Sequence, residues 1–251
     1  MGGGFVEIEH VWLSYGTKTV LRDCTLEIKP RAITCLIGMS GAGKSTILRL
    51  INGLRKPDRG RVVFDGVDVA SLRGRELNEF RQRIGFAFQF AALFDSLSVG
   101  ENVALPLREL TKLSNAEIDH TVDETLEVVG LADVRERMPA ELSGGMLKRA
   151  GFARAVVTKP ALVLYDEPTT GQDPIITRVL TETIVRLRRD LNGTAVVVSH
   201  DLTSVYEMAD YIAMLFEGAI VEYGTVEEVK RSTNPVVQQF LQGSEVGPIR
   251  V

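Results

Sequence analysis

The chain has 251 residues, 45% hydrophobic and 25% charged, with a formal net charge of −4. That length suits one large α/β domain or a domain with an inserted lobe, and the composition is that of an ordinary soluble globular protein. The negative balance gives no support to nucleic-acid binding, and no apolar run approaches bilayer-spanning length.

The opening "MGGGFVEIEH" lacks a basic segment followed by an apolar one, which predicts retention in the cytosol. "FVEIEHVWLSY", a Gly16-Thr17 turn and the alternating "CTLEIK" read as antiparallel β-structure. "AITCLI" (32–37) is an apolar run suited to a buried strand, and after it Ile47, Leu48, Leu50, Ile51 and Leu54 share one helical face. "RVVFDG" (61–66) predicts a strand entering a turn. The basic "RGRELNEFRQR" (73–83) reads as a solvated helix with Glu79 and Arg83 four apart, and "IGFAFQF" (84–90) as a further strand.

From about 91 to 159 the period becomes helical, with Ser114 as a cap and Glu117 completing a capping box. Strand patterns return at 161–165 and 194–199, then in "YIAMLFEGAIVEYG", a hairpin turning at Glu217-Gly218. This order predicts an α/β fold: a mainly parallel core sheet, an antiparallel β flank and an inserted helical lobe. Near the end Val236, Val237, Phe240 and Leu241 follow Asn234-Pro235 at helical spacing and form an apolar face expected to dock on a further surface. Cys24 and Cys35 have no Cys or His at ligand spacing, so they read as small buried hydrophobes in a reducing compartment.

"GMSGAGKST", running Gly38, Met39, Ser40, Gly41, Ala42, Gly43, Lys44, Ser45 and Thr46, matches G-x-x-x-x-G-K-[ST] between a strand and a helix. Its glycines let backbone N–H groups turn inward around phosphate oxygens, and the following helix adds its positive dipole end. Lys44 is expected, from a solvated loop, to reach the β- and γ-phosphates of a nucleotide, and Ser45 to ligate Mg²⁺. "LVLYDEP" (162–168) is an apolar strand ending in two carboxylates: Asp166 to hold magnesium and Glu167 to take a proton from an attacking water. "VVVSHD" (196–201) puts His200 past another apolar strand, and Gln89 closes the strand "IGFAFQ" in a comparable place. "LSGGMLKRAGFARA" (142–155) then opens a second helix with Ser143, Gly144 and Gly145, a second phosphate cradle in one chain.

A phosphate loop, a late Gln, "LSGG", "DEP", "GQDP" and "SH", in this order, resemble an ATP-binding-cassette (ABC) ATPase over essentially the whole chain. The resemblance implies that Tyr15 stacks on adenine, Gln89 links magnesium to the helical lobe and His200 positions the γ-phosphate. It also implies that Ser143-Gly144-Gly145 bind the ATP held by a second copy of the chain, so that two chains sandwich two ATP molecules. Met146 stands where the family usually has Gln, and Thr170-Gly171-Gln172-Asp173 where it has S-G-L-D. Those departures, with "ALFDSLSVGENVALPLREL" (92–110) and the tail 236–249, resemble the ATPase subunits of Mla/Mce lipid-transport systems.

The implied organisation is one ABC ATPase domain: a nucleotide-binding core (1–90 and 161–230), a helical subdomain (91–160) and a C-terminal extension (231–251). The implied function is ATP hydrolysis powering phospholipid transport, with an importer ATPase for another small substrate, such as an amino acid, as the alternative. DNA-repair cassettes need a far longer helical stretch, translation factors a second cassette, and small-molecule kinases lack the signature serine. The implied partners are a second copy, an integral membrane permease, an Mce-domain lipid-binding protein and a small regulatory subunit, with no nucleic acid. Such a subunit sits peripherally on the cytoplasmic face of the inner membrane, and its tail would meet the partner ATPase subunit.

Overall fold

The computed structural model describes residues 3–250. The N-terminal half opens with β1 (Val6–Tyr15), β2 (Lys18–Ile28), β3 (Ile33–Ile37) and α1 (Lys44–Ile51). β4 (Arg59–Phe64), β5 (Val67–Asp68), α2 (Gly74–Arg81) and β6 (Ile84–Ala87) follow. The helical stretch contains α3 (Val99–Leu110), α4 (Asn115–Val128) and α5 (Gly144–Val156). Then come β7 (Leu162–Asp166), α6 (Pro174–Leu191), β8 (Thr194–Val198) and α7 (Leu202–Met208). The chain finishes with the hairpin β9 (Tyr211–Phe216) and β10 (Ala219–Thr225), then α8 (Val226–Lys230) and α9 (Pro235–Gln242).

Two sheets form. The antiparallel flank has the order β2-β1-β4-β5, and the larger sheet β10-β9-β3-β8-β7-β6. β9, β3, β8, β7 and β6 run parallel, and β10 is an antiparallel edge. Parallel strands buried on both faces divide their side chains with period two. Ile33, Cys35, Ile37, Val163, Tyr165, Ala195 and Val197 enter the cluster shared with α3, α4, α5 and α6. Leu36, Leu162, Leu164, Val196 and Val198 enter the opposite cluster, with α1 and the antiparallel flank. Both cysteines are buried and unbonded, and burial pushes the Cys24 thiol up to about 12.

The capping predictions hold: Ser114 Oγ accepts from the Glu117 N–H while the Glu117 carboxylate accepts from the Ser114 N–H. Two local expectations do not. α1 stops at Ile51, and Leu54 is exposed beyond it. α2 stops at Arg81, so Glu79 pairs with Arg75 inside the helix, while Arg83, already entering β6, bonds Asp65 and stacks on Phe64. Of the apolar face of α9, Val237 is fully buried in the main cluster, Val236, Phe240 and Leu241 are half-buried against it, and Gln239 bonds the Ile249 backbone in both directions.

Candidate functional site

The parallel strands aim their C-terminal ends at one edge of the sheet, where open α/β sheets bind ligands. The loop after β3, the carboxylates after β7, His200 after β8 and Gln89 after β6 all lie along that edge. A cleft of about 540 Å³ there is lined by Ser40, Gly41, Gly43, Lys44, Ser45 and Thr46 of the phosphate loop. Gln89, Glu167 and His200 complete its polar wall. Two further residues line it: Val20 from β2, which carries no sequence signal, and Thr170, which the sequence marks only as standing where the family has Ser.

The loop conformation requires glycine at two points in particular. Gly38 has φ 138°, and a Cβ there would sit 2.2 Å from the Leu215 carbonyl oxygen. Gly43 has φ 110° as the N-cap of α1, so no side chain stands in front of the helix end.

Lys44 departs from expectation. It is 7% exposed rather than solvated, and its Nζ donates to the carbonyls of Gly38 at 2.8 Å and Met39 at 3.0 Å. As the first residue of α1 its stem is packed, and its ammonium satisfies the loop that it would otherwise reach across. Desolvation lowers its pKa, opposed by the charges of Glu167 and Asp166.

Ser45 Oγ donates to Asp166 Oδ1 at 2.8 Å, joining the loop to the end of β7. Burial raises the Asp166 pKa, while the Ser45 hydrogen bond lowers it. Among the described residues no cluster of three or more His, Cys, Asp or Glu is placed to hold a metal. One hydroxyl and one carboxylate beside a phosphate cradle fit Mg²⁺, which takes few protein oxygens and completes its shell with water and phosphate.

Glu167 is left-handed at φ 50°, a conformation that costs a non-glycine residue about 1–2 kcal/mol. Its N–H donates to the Val198 carbonyl at 3.0 Å, and Oε2 accepts from Thr170 Oγ1 and faces His200 Nδ1, both at 2.8 Å. Oε1 has no protein donor among the described residues. Gln89 lies two residues beyond β6 rather than at its end, because the strand stops at Ala87.

The predicted contacts Ser143, Gly144, Gly145 and Tyr15 stand outside the cleft. Ser143 and Gly144 are exposed, Gly145 is buried, and none of the three lines it. Ser143 Oγ caps α5 by accepting from the Met146 N–H at 3.3 Å. Tyr15 is exposed on the antiparallel flank with the Arg55 guanidinium over its ring. One chain therefore carries two separate N-terminal helix ends suited to phosphate, and only one belongs to its own cleft.

Known proteins share this arrangement. Residues 21–170 match the family model described as ABC transporter. The chain is 42% identical to the "Intermembrane phospholipid transport system ATP-binding protein MlaF" of Haemophilus influenzae, covering all of this chain and 95% of that protein. It is 39% identical to the "Probable ribonucleotide transport ATP-binding protein mkl" of Mycobacterium leprae, over 98% of this chain and 71% of that protein. The dimeric structure of a post-hydrolysis state of the ATP-binding cassette MJ0796, bound to ADP and Pi, aligns with a TM-score of 0.80 at 30% identity. That alignment covers 88% of this chain and 98% of that one. Phosphate loop, paired carboxylates, His200 and detached Ser143-Gly144-Gly145 thus fall within a matched whole, and the chain belongs to the ABC transporter family as an ATP-hydrolysing subunit.

Proposed function

We propose that the chain hydrolyses ATP to drive phospholipid transport through a separate membrane permease. The observation that carries this reading is the end-to-end similarity to the MlaF protein of Haemophilus influenzae, with the cleft residues in place. The phosphate loop and Lys44 bind the triphosphate, Lys44 giving up its carbonyl partners for phosphate oxygens. Ser45, Gln89 and Asp166 would hold Mg²⁺, which would supply positive charge beside the phosphates. Glu167 takes a proton on Oε1 from the water that attacks the γ-phosphorus, and the bond to the ADP oxygen breaks as the new P–O bond forms. Thr170 and His200 hold Oε2 so that Oε1 faces the water, and His200 contacts the γ-phosphate. Tyr15 supplies a ring for adenine.

Two copies close head to tail, with Ser143-Gly144-Gly145 of each capping the ATP of the other; the dimeric cassette structures and the separation of the two cradles support this. Residues 1–90 and 161–230 act as the nucleotide core, 91–160 as the moving helical lobe and 231–251 as an extension. A groove of about 440 Å³, lined by Phe88, Phe94, Leu105 and Leu110 among others, offers the permease an apolar grip beside Gln89. No described helix is long and apolar enough to cross a membrane; the similarity to the MlaF protein supports a peripheral place on the cytoplasmic face of the inner membrane. An Mce-domain protein and a small regulatory subunit complete the assembly.

Extraction in mild detergent, with identification of co-purifying proteins and lipids, tests the reading. A permease, an Mce-domain protein and bound phospholipid support it. Recovery with a soluble amino-acid- or nucleotide-binding protein and its permease would replace the lipid assignment, the mkl relatives being the observation that favours a nucleotide cargo.

A further inference from the structure

Lys148 lies one turn into α5, beyond the Ser143 cap. It is 7% exposed, and its Nζ donates to the Gln89 carbonyl and, at 3.2 Å, to the Glu167 carbonyl. Both acceptors are neutral, so burying the ammonium is costly; desolvation lowers its pKa, and the charges of Glu167 and Asp166 offset only part of this. A methionine of similar length would fill the space without that cost, so packing does not account for the charge.

What the ammonium joins does account for it. Glu167 sits in a conformation that persists only where its surroundings hold it, and Lys148 grips its carbonyl while Val198 takes its N–H. The same helix holds the segment after Gln89, since Arg154 donates to the carbonyls of Ala91 and Ala92 at 2.8 and 2.7 Å. A second contact ties the start of α5 to the turn that follows Glu167. A Cβ on Gly144 would come within 3.2 Å of Gln172 Nε2, and one on Gly145 within 2.6 Å of Ile176 Cγ2. The helix end suited to an outside phosphate is thus bonded, inside one chain, to Glu167 and to Gln89.

We propose that Lys148 is a positioning residue that passes the capping of ATP at the Ser143 end of α5 to the orientation of Glu167 in the same chain. The ATP that a second subunit presents to α5 then sets hydrolysis of the ATP the chain holds itself. This rests on the reading in which Glu167 takes the proton and Ser143-Gly144-Gly145 cap the ATP of another copy.

The test compares Lys148→Met, Lys148→Gln and Lys148→Arg in the full chain purified with its membrane partners. Lys148→Met is expected to lower kcat about tenfold or more, with KM for ATP within about twofold, and to turn a sigmoidal ATP dependence hyperbolic. Lys148→Arg should recover most of the rate, because a guanidinium can still donate to both carbonyls. Combined with Glu167→Gln, Lys148→Met should still dimerise on ATP by light scattering. If Lys148→Met lowers the melting temperature sharply, Lys148→Gln, a neutral donor, is read in its place. An unchanged kcat, or loss of ATP-driven dimerisation in step with the rate, would overturn the proposal. Wild-type hydrolysis by Glu167→Gln would instead overturn the underlying assignment of the base, whatever Lys148 does.

Discussion

Nδ1 of His200 and Oε2 of Glu167 lie 2.8 Å apart, a bond between the ends of the adjacent strands β8 and β7. With Thr170 on the same oxygen, it fixes one side of the carboxylate and leaves the other open. Glu167→Gln keeps the shape but not the basicity, so ATP should bind without being cleaved, with hydrolysis down by about a hundredfold or more. His200→Ala should lower kcat by at least about tenfold with ATP binding retained. Single-turnover hydrolysis and a fluorescent ATP analogue separate the two effects, and near-normal hydrolysis by Glu167→Gln would remove Glu167 from its role.

In the Glu167→Gln background, Mg²⁺ and ATP should accumulate a closed dimer, and adding Ser143→Arg should abolish closure while each chain still binds ATP. The arginine also removes the α5 cap, worth about 1 kcal/mol, so Ser143→Ala serves as the stability control. Closure of the arginine double mutant would reduce Ser143-Gly144-Gly145 to a glycine-rich helix start. Loss of its ATP binding would place both cradles in one site.

Lys44→Ala should abolish productive ATP binding. It leaves the carbonyls of Gly38 and Met39 short of a donor but also removes a desolvated ammonium, so the melting temperature should move by no more than a few degrees. Retained hydrolysis would contradict the phosphate-loop assignment.

Asp166→Asn separates stability from function. Burial raises the Asp166 pKa, so at acid pH the folded state holds a proton that the unfolded state has released. The stability linked to that proton is fully present below the free-carboxylate pKa and is lost as pH rises from there through the folded pKa. Without nucleotide or Mg²⁺, Asp166→Asn should therefore melt at or above wild type at neutral pH, and the gap should narrow toward pH 4, near the free-carboxylate pKa. Its Mg²⁺-dependent hydrolysis should be lost throughout. A variant less stable than wild type at neutral pH would show that the Ser45 bond outweighs desolvation.

Gly145→Ala should cost about 1–3 kcal/mol by overpacking against Ile176, more than the helix propensity it gains. Adding Ile176→Ala should cost less than the sum of the two changes, and denaturant melts of the four proteins measure the coupling.

The phosphate loop could be read from sequence because its glycines, lysine and serine are consecutive and their conformation is local. The parallel sheet could be read because strands buried on both faces leave unbroken apolar runs. Lys148 was not legible, and Thr170 was legible only as a departure from the family's serine: a lysine in a basic helix and a threonine in a turn look solvated until the fold turns them inward. Arg83 shows the same limit, since its partner Asp65 belongs to another element. The tail had a correct apolar period, but periodicity does not say which surface receives it: Val237 is buried within its own chain, and Val236, Phe240 and Leu241 are half-covered by the same cluster.

The strand order has a consequence for synthesis on the ribosome. β3 and β7 do not pair with each other; β8, made last of the three, lies between them. The Ser45–Asp166 bond, spanning 121 residues, therefore joins strands whose hydrogen-bonded spacer is made only when residues 194–198 have emerged. A nascent chain stalled before them would display the phosphate loop and both carboxylates without the strand that sets their spacing. The complete site is therefore expected late in translation, and a product terminated before β8 would lack the strand that joins its two halves.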